Sequence, residues 1–380
     1  MTAIRTTCAY CGVGCGIAAR VTGPRRIEVA GDPDHPANHG RLCSKGTWLS
    51  ETTGLEGRLL HPMIGDEQAE WDEALELVAQ RMRAAIAEHG PDSVAFYVSG
   101  QLLTEDYYVA NKLLKGFVGT ANIDTNSRLC MASAVAAHNR AFGEDVVPCS
   151  YKDLDSADLI LLVGSNTAWC HPVIWQRIEQ AREQRGTKLV VIDPRRTETA
   201  ERADLHVPVA PDGDVALFNA LLAAMRERGL LDGSYMAEHC EQPGGFVDGL
   251  DAAAHGLDPG IFAQLCDLVA DHPRMVTLFS QGANQSVCGT DKGNAIINLH
   301  LATGRINRAG SGPFSITGQP NAMGGREVGG LANMLACHLG FEDDERASVA
   351  AFWNAPNLCS GPGSKAVEMF RAVHDGRIRF

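Results

Sequence analysis

Four cysteines close to the N-terminus constrain this chain more than any other feature of its sequence. Their spacing is C-x2-C-x3-C-x27-C, with three thiols on one short loop and a fourth far along the chain: Cys8, Cys11, Cys15 and Cys43. Four sulfur ligands suit a tetrahedral zinc ion or an iron–sulfur cluster. The usual structural zinc pattern has two C-x2-C pairs, and the second pair is missing here. A cubane [4Fe–4S] cluster takes one thiolate at each of four irons, so the spacing favours the cluster over zinc, and a disulfide framework ranks below both.

The overall charge excludes two classes of partner. The 380 residues include 33 Lys and Arg against 46 Asp and Glu, which gives a net charge of −13. Such an acidic balance argues against a nucleic-acid-binding or anionic-membrane surface.

The sequence lacks the run of about 18 apolar residues that a membrane helix needs. Because the first motif cysteine is already at position 8, there is no room before it for a signal peptide. We therefore expect a cytoplasmic protein without nucleic-acid or membrane partners.

Alternating strand and helix patterns begin near residue 155. Continuous apolar runs predict strands buried on both faces of a parallel sheet at 158–164, 188–193 and 275–280. Amphipathic patterns predict helices at 172–185, 215–228 and 291–302, with Asp214 as the N-terminal cap of the second. This order predicts a doubly wound α/β domain whose ligand lies at the carboxyl ends of the strands.

Two of these strands end in short polar sequences. Gly164-Ser165-Asn166 follows the first, and Asp193-Pro194-Arg195-Arg196 follows the second. A glycine followed by small polar residues can present backbone N–H groups to a phosphate. An acidic residue at the end of the next strand can hold a ribose or a guanine edge. No GxGxxG motif is present, so ordinary strand-to-helix loops explain these residues equally well.

Two further segments carry residues that could bind a ligand. Cys130 lies among small and polar residues, although a lone cysteine is more often a buried structural residue than a ligand. The second segment, Gly318–Gly330, interleaves many glycines with Gln319, Asn321 and Arg326. Glycines in that density favour backbone packed tightly on a polar ligand over a flexible surface loop.

These signals together resemble one family. The chain is similar to the N-terminal part of molybdopterin oxidoreductases of the dimethyl sulfoxide reductase superfamily, and within it to the assimilatory nitrate reductase catalytic subunits. The resemblance covers essentially the whole chain and rests on Cys8-Ala-Tyr-Cys11-Gly-Val-Gly-Cys15-Gly, Gly31-Asp-Pro-Asp-His-Pro-Ala-Asn, Gly40-Arg-Leu-Cys43-Ser-Lys45-Gly, Asp124-Thr-Asn-Ser-Arg-Leu-Cys130-Met-Ala-Ser-Ala and Gly318–Gly330. Members of the family are considerably longer. The resemblance therefore implies an N-terminal fragment that is inactive on its own.

The resemblance also implies a domain organisation. It places a small [4Fe–4S] module at residues 1–57 and a Rossmann-like domain that binds molybdopterin guanine dinucleotide at 131–330. Residues 58–130 and 331–380 would form a discontinuous, incomplete αβα domain. The fold class is thus α/β, a cluster module followed by doubly wound αβα domains, with the C-terminal domain of the family missing.

Site roles follow from the resemblance by position. Cys8, Cys11, Cys15 and Cys43 would hold the [4Fe–4S] cluster, Cys130 would ligate molybdenum, and Lys45 would assist electron passage between cluster and pterin. One guanine dinucleotide would be bound by Gly164, Ser165, Asn166, Asp193, Arg195 and Asp214. Gln319 and Asn321 belong to the loop that approaches the metal, and Arg326 would guide an anionic substrate. A guanidinium suits that role because it stays charged and binds planar anions well.

The implied reaction is the two-electron reduction of nitrate to nitrite by oxygen-atom transfer at Mo-bis(molybdopterin guanine dinucleotide). Electrons would pass through the cluster from ferredoxin, flavodoxin or an NADH-dependent flavin and Fe–S reductase. A formate dehydrogenase alpha-type subunit is the first alternative, but there the ligating residue is typically followed by His, and here Met131 follows. A molybdenum-free scaffold related to the large Fe–S subunit of NADH dehydrogenase is the second, and intact Cys130 and Arg326 argue against it.

Overall fold

The computed structural model describes residues 3–241, 245, 247, 249–251 and 256–380. The strands are β1 (Ile4–Thr7), β2 (Gly16–Gly23), β3 (Arg26–Gly31), β4 (Met63–Ile64), β5 (Glu67–Gln68), β6 (Phe96–Val98), β7 (Ile123–Thr125), β8 (Leu159–Val163), β9 (Lys188–Ile192), β10 (Leu205–Val207), β11 (Met275–Phe279) and β12 (Gly312–Ser315). A few positions of the predicted 131–330 domain, between 242 and 255, lie outside the described residues.

The helices lie mainly between these strands. The α-helices are α1 (Ser44–Thr47), α2 (Trp71–His89), α3 (Thr104–Asn111), α4 (Ala132–Phe142), α5 (Tyr151–Ser156), α6 (Thr167–Cys170), α7 (Pro172–Arg185), α8 (Glu198–Glu201), α9 (Asp214–Glu227), α10 (Gly233–His239), α11 (Pro259–Asp271), α12 (Gln281–Asn284), α13 (Gly289–Ala302), α14 (Ala322–Gly329), α15 (Asp343–Trp353) and α16 (Ala366–His374). Short 3-10 helices span Leu49–Thr53, Pro91–Ser93, Asn126–Leu129 and Ala336–His338, and a π-helix spans Lys112–Val118. Within the described ranges, no helix is both long and apolar enough to cross a lipid bilayer.

The N-terminal module is a three-stranded antiparallel sheet in the order β1-β2-β3. The loop with the first three cysteines joins β1 to β2, where Thr7 lies opposite Gly16. The N–H of Cys8 donates to the carbonyl oxygen of Cys15 at 2.8 Å. This bond closes the loop at its base, because it extends the strand pairing by one residue.

A five-stranded parallel sheet forms the centre of the protein, in the order β10-β9-β8-β11-β12. Alternate residues of β8 enter two separate hydrophobic clusters, Leu159, Leu161 and Val163 on one face and Ile160 and Leu162 on the other. The strand is thus buried on both faces, as its continuous apolar run predicts. The strand order reverses between β8 and β11, so the carboxyl ends of these two strands flank a topological switch point. The predicted doubly wound α/β fold is confirmed.

The element bounds agree with the predictions except at a few ends. Helix α7 begins at Pro172 and ends at Arg185, as predicted. Helix α9 begins at Asp214 itself, so Gly213 and not Asp214 occupies the N-cap position. The Asp214 carboxylate is instead paired with Lys292, which explains why it does not bond to its own helix N–H groups. Strand β12 was not predicted, because its Gly-Pro pair is atypical of strands and tolerated here at a sheet edge.

A second, two-stranded sheet pairs β6 with β7 in parallel. The last residues of the chain run beside it, with the N–H of Arg379 bonded to the Ser93 oxygen at 2.8 Å and that of Ala95 to the Phe380 oxygen at 2.9 Å. Trp353 packs in one cluster with Ala121. Residues after 331 therefore contact those before 130, and the discontinuous domain itself stays a prediction.

Candidate cofactor and substrate sites

The four motif cysteines line one pocket, although they come from two separate segments. Cys8, Cys11 and Cys15 lie on the β1–β2 loop, and Cys43 immediately precedes α1. Pro172 and Val173, at the start of α7, form part of the same wall. A cubane cluster takes one thiolate at each corner and so needs sulfurs arranged around a space instead of around a single point. Among the residues described, no three His, Cys, Asp or Glu side chains are grouped to hold a single metal ion. All twelve cysteines are free thiols.

Burial and mutual proximity set the electrostatics of this pocket. Burial raises the pKa of Cys15 to about 12, with further contributions from Cys11, Cys8 and Cys43. Burial also raises the pKa of Cys8 and Cys11, and the Lys45 ammonium partly opposes this rise. Thiolates in such a site need a positive charge to compensate them, and iron supplies it in a cluster. The set of four thiol donors at one site therefore suits a [4Fe–4S] group.

Lys45 acts electrostatically both on this pocket and on His171, which follows β8. It is exposed on α1, two residues after Cys43. Burial lowers the pKa of His171, which follows β8, and the charge of Lys45 lowers it further against an opposing hydrogen bond. The ammonium thus acts on both the cysteine pocket and His171, and its role in electron passage stays a prediction.

Gly164, Ser165 and Asn166 lie at the carboxyl end of β8, as predicted, and all three already have protein partners. Gly164 has φ +55°, and a Cβ there would lie 2.5 Å from the backbone nitrogen of Ala283. Ser165 Oγ is 2.9 Å from Thr167 Oγ1, and Asn166 Oδ1 accepts a bond from Thr199 Oγ1 at 2.7 Å. The glycine is required by close backbone packing on α12, which follows β11, so packing alone accounts for this residue.

Asp193 and Arg195 lie at the end of β9, next to those residues, while Asp214 begins α9. The Asp193 carboxylate accepts the Arg195 N–H at 2.9 Å, and the Arg195 side chain is exposed. Asp214 is bound to Lys292 at 2.8 Å, and Lys292 is 2 % exposed. The five residues of the two loops thus follow adjacent parallel strands, β8 and β9, but Asp214 serves an internal ion pair.

Two buried polar atoms in the segments that follow β8 and β11 have no hydrogen-bond partner among the described residues. His171 Nε2 bonds to the Thr317 oxygen at 2.8 Å, which leaves Nδ1 buried and without a hydrogen-bond partner among the described residues. Asn284 Oδ1, after β11, is also buried and unbonded within the same set. Buried polar atoms are normally bonded, so such atoms indicate a missing partner. The switch point therefore fits a polar cofactor.

The glycine-rich segment packs directly on the cysteine loop. The Gly12 N–H donates to the Gly318 oxygen at 3.1 Å, and a Cβ on Gly12 would lie 2.3 Å from the Thr317 oxygen. Gln319 Oε1 accepts a bond from Thr317 Oγ1 at 2.7 Å. Asn321 Nδ2 donates to the Leu102 oxygen at 2.8 Å. Gln319 and Asn321 thus hold this loop in place, and their remaining hydrogen-bonding capacity could serve a ligand.

Arg326 lines a cavity of about 420 Å³ together with Met131, Arg128 and Asp145. It forms an ion pair with Asp145, and the two side chains are only 19 % and 13 % exposed. His138 Nδ1 lies 3.5 Å from the other oxygen of Asp145. Burial alone would raise the pKa of Asp145, but the His138 hydrogen bond and the Arg326 charge bring it below its usual value. The arginine predicted to attract an anion is therefore already neutralised by a carboxylate.

Cys130 is buried beside this cavity and does not line it. Cys130 is 6 % exposed and belongs to a hydrophobic cluster with Met131 and Ala134. The next residue, Met131, lines the cavity. The Cys130 side chain thus belongs to a hydrophobic cluster, although it lies among small and polar residues in the sequence and its N–H donates to the Ser127 oxygen at 3.1 Å.

Sequence reasoning missed the acidic partners of this cavity. Asp124 is fully buried and its Oδ2 accepts a hydrogen bond from Arg128 Nε at 3.0 Å, while Asp145 forms an ion pair with Arg326. Both arginines of the wall are therefore neutralised. The Asp124–Arg128 pair could have been found from its four-residue spacing. Nothing in the local sequence indicates the Asp145–Arg326 pair.

A larger cavity of about 860 Å³ lies elsewhere, lined by residues of the loop before α16 and by none of the candidate residues. The N–H of Ala366, the first residue of that helix, donates to Asp124 Oδ2 at 2.8 Å, and the N–H of Ser364 in the preceding loop donates to Asn122 Oδ1 at 2.9 Å.

Comparison with known proteins defines the class. Residues 1–53 match the model of the molybdopterin oxidoreductase Fe4S4 domain, and residues 58–380 match that of molybdopterin oxidoreductase. A nitrate reductase of Klebsiella oxytoca is 52 % identical over the whole chain and 44 % of its own length. The periplasmic nitrate reductase of Desulfovibrio desulfuricans is 36 % identical over 99 % of the chain and 53 % of its own length. Acetylene hydratase from Pelobacter acetylenicus has the same fold, with a TM-score of 0.67 and 22 % identity over 79 % of the chain and 43 % of its own.

The chain belongs to the molybdopterin oxidoreductase family, whose cofactors are molybdopterin and a [4Fe–4S] cluster. It spans about half the length of these curated relatives.

Proposed function

We propose that this sequence is the cofactor-binding part of an assimilatory nitrate reductase that reduces nitrate to nitrite. The observation that carries the proposal is the cavity of about 420 Å³ that joins Arg326 to the residues flanking Cys130. High identity to a Klebsiella oxytoca nitrate reductase over the whole chain supports the same substrate. The proposal also includes a cytoplasmic location and a role in nitrate assimilation. The similar protein of Desulfovibrio desulfuricans is periplasmic, so similarity alone does not choose the location.

The cavity wall accounts for how an anion would bind. An entering nitrate meets the Arg326 guanidinium, whose Nη1 has no other partner among the described residues than Asp145. Nitrate must therefore compete with the Asp145 carboxylate, and the arginine then holds its planar oxygens. Met131 and Val135 supply apolar wall and limit water around the bound anion, which strengthens the electrostatic interaction.

The cofactors would occupy positions next to this cavity. Cys8, Cys11, Cys15 and Cys43 would hold the cluster, and Cys130 would ligate molybdenum. The molybdopterin guanine dinucleotide, one of two in the bis form, would be held by Gly164, Ser165, Asn166, Asp193, Arg195, Asp214, Gln319 and Asn321. When bound, the molybdenum group supplies the two-electron oxygen-atom transfer that protein side chains cannot.

Electrons would reach the cavity through the cluster module. The direct backbone contact between Gly12 and Gly318 joins the cysteine loop to the segment of Gln319, and the charge of Lys45 acts on both Cys11 and His171. The donor would be ferredoxin, flavodoxin or an NADH-dependent flavin and Fe–S reductase. In the proposed organisation, residues 1–57 form the cluster module, 131–330 the dinucleotide-binding domain, and 58–130 with 331–380 a third domain.

The test is an assay of the holoenzyme that contains this sequence, reduced with a viologen dye under anaerobic conditions. Nitrite formation from nitrate, with no oxidation of formate by the same preparation, supports the proposal. Formate oxidation without nitrite formation would replace it with the formate dehydrogenase alternative. Bound iron with no molybdenum would support the electron-transfer scaffold instead.

A further inference from the structure

A lysine that no step above uses is buried behind the wall of the substrate cavity. Lys115 lies on the π-helix Lys112–Val118 and its side chain has no exposed surface. Burying an amine is costly unless its N–H groups find acceptors, so its partners explain why it is tolerated there. π-helical turns are uncommon and occur frequently at functional sites.

The partners of Lys115 are two backbone carbonyls at the ends of one short loop. Its Nζ donates to the oxygen of Gly329 and, at 2.7 Å, to the oxygen of Met334. Gly329 is the last residue of α14, and the final carbonyls of a helix have no partner within it. Lys115 therefore caps α14 from another element, with the favourable sign for a cation at a helix C-terminus.

The segment between those two carbonyls forms part of the cavity wall. Gly330, Leu331, Asn333 and Met334 all line it, together with Arg326 on the preceding helix. Asn333 Oδ1 has no hydrogen-bond partner among the described residues. The loop turns sharply at Gly330, which has φ +72° and lies against Met334. Within the loop the Asn333 N–H donates to the Gly330 oxygen at 3.3 Å, and the Gly363 N–H donates to the Ala332 oxygen at 2.9 Å. The Lys115 amine adds the side-chain contact that joins the carbonyls at its two ends.

Glycine contacts give the same helix a second, independent support. A Cβ on Gly325 would lie 2.8 Å from the Tyr107 ring, and one on Gly329 would lie 2.1 Å from Asn111 Cγ. Both partners belong to α3, which runs directly into the π-helix of Lys115. Helix α14 thus lies close on α3 along its length, and Lys115 fixes its end.

We propose that Lys115 is a positioning residue that anchors the wall Gly330–Met334 and, through α14, the guanidinium of Arg326. The role rests on the proposed function in one respect, since the ligand of the wall is taken to be nitrate. The anchoring itself does not depend on the substrate. A neutral amine still donates two hydrogen bonds, so the anchor holds in either protonation state of the lysine.

The first measurement is amide hydrogen exchange on the holoenzyme that contains this sequence, and it requires no assay of activity. Lys115→Met keeps the apolar stem and removes the donors. We expect exchange in peptides covering 326–339 to rise by about tenfold, with the central sheet unchanged. Lys112→Met is the matched control, since Lys112 lies on the same π-helix and contacts the Tyr108 ring at 5.6 Å. Equal protection of 326–339 in Lys115→Met and wild type would overturn the proposal.

The second measurement is nitrate kinetics on the holoenzyme containing the same variants. We expect Lys115→Met to raise KM for nitrate by about tenfold with a smaller change in kcat, because a misplaced wall weakens positioning. Unchanged KM and kcat would contradict the positioning role. If the wild type reduces no nitrate, the proposed function fails while the exchange result still decides the anchoring. If Lys115→Met does not fold, Lys115→Gln gives the same comparison, because its shorter amide cannot span both carbonyls. Increased exchange at 326–339 in Lys115→Gln supports the anchor, and unchanged exchange overturns it.

Discussion

The N–H of Gly12 donates a hydrogen bond to the carbonyl oxygen of Gly318 at 3.1 Å, which joins the cysteine loop directly to the glycine-rich segment before α14. The contact is possible only because Gly12 has no Cβ, which would lie 2.3 Å from the Thr317 oxygen. Two regions separated by most of the chain therefore meet backbone to backbone, between the candidate cluster pocket and the candidate substrate loop.

Gly12→Ala tests this contact. Because the obstructing atom is backbone and cannot move aside, we expect the variant to lose about 1–3 kcal/mol of unfolding free energy and to retain less iron. Thermal melting and iron analysis measure the two effects. Gly23→Ala is the control in the same module, since nothing lies closer than 3.9 Å to its added Cβ. A Gly12→Ala protein as stable as Gly23→Ala would show that the loops do not depend on this approach.

Replacing a motif cysteine should remove the cluster. In Cys43→Ser one iron loses its thiolate, and we expect iron and acid-labile sulfide to fall to less than about half of wild type. The exposed Cys337 gives the control, and Cys337→Ser should keep the full content. Full iron content in Cys43→Ser would exclude this residue as a ligand.

The Asp145–Arg326 pair predicts an unusual gain of affinity. Asp145→Asn removes the competing carboxylate and frees the guanidinium, so we expect KM for nitrate to fall by about threefold to tenfold. Arg326→Gln should raise it instead. Asp291→Asn, which breaks an exposed ion pair with Arg140, serves as the control for a simple change of net charge. A rise in KM for Asp145→Asn would mean that the pair is needed intact to orient the arginine.

Lys115 predicts a pH-dependent stability. Burial lowers the pKa of Lys115 from 10.5 to about 7. Between these values the unfolded chain binds a proton that the folded chain has lost, so stability rises with pH across this range. The slope is about 1.4 kcal/mol per pH unit. Urea unfolding at pH 7 and pH 9 should show Lys115→Met losing this rise relative to wild type. Parallel curves for the two proteins would contradict the depressed pKa.

Sequence sufficed for the features that depend on local order. The cysteine spacing indicated one pocket, and the apolar runs of β8, β9 and β11 gave their strands to within a residue or two, since burial on both faces leaves no alternation. It failed for pairs distant along the chain. Lys115 meets the Gly329 oxygen across 214 residues, and Asp145 meets Arg326 only because α4 and α14 flank the same cavity. Asp214 was predicted as a helix cap because a local sequence pattern carries no information about its distant partner, Lys292 on α13.

The measurement that tests the central proposal most directly is nitrite formation by the holoenzyme with Cys130→Ala beside wild type. Cys266→Ala, which removes another buried thiol of the same hydrophobic cluster, is the matched control. We predict nitrite from wild type and from Cys266→Ala, and none from Cys130→Ala at equal cluster content. Nitrite from Cys130→Ala at the wild-type rate would contradict a Cys130-ligated molybdenum centre.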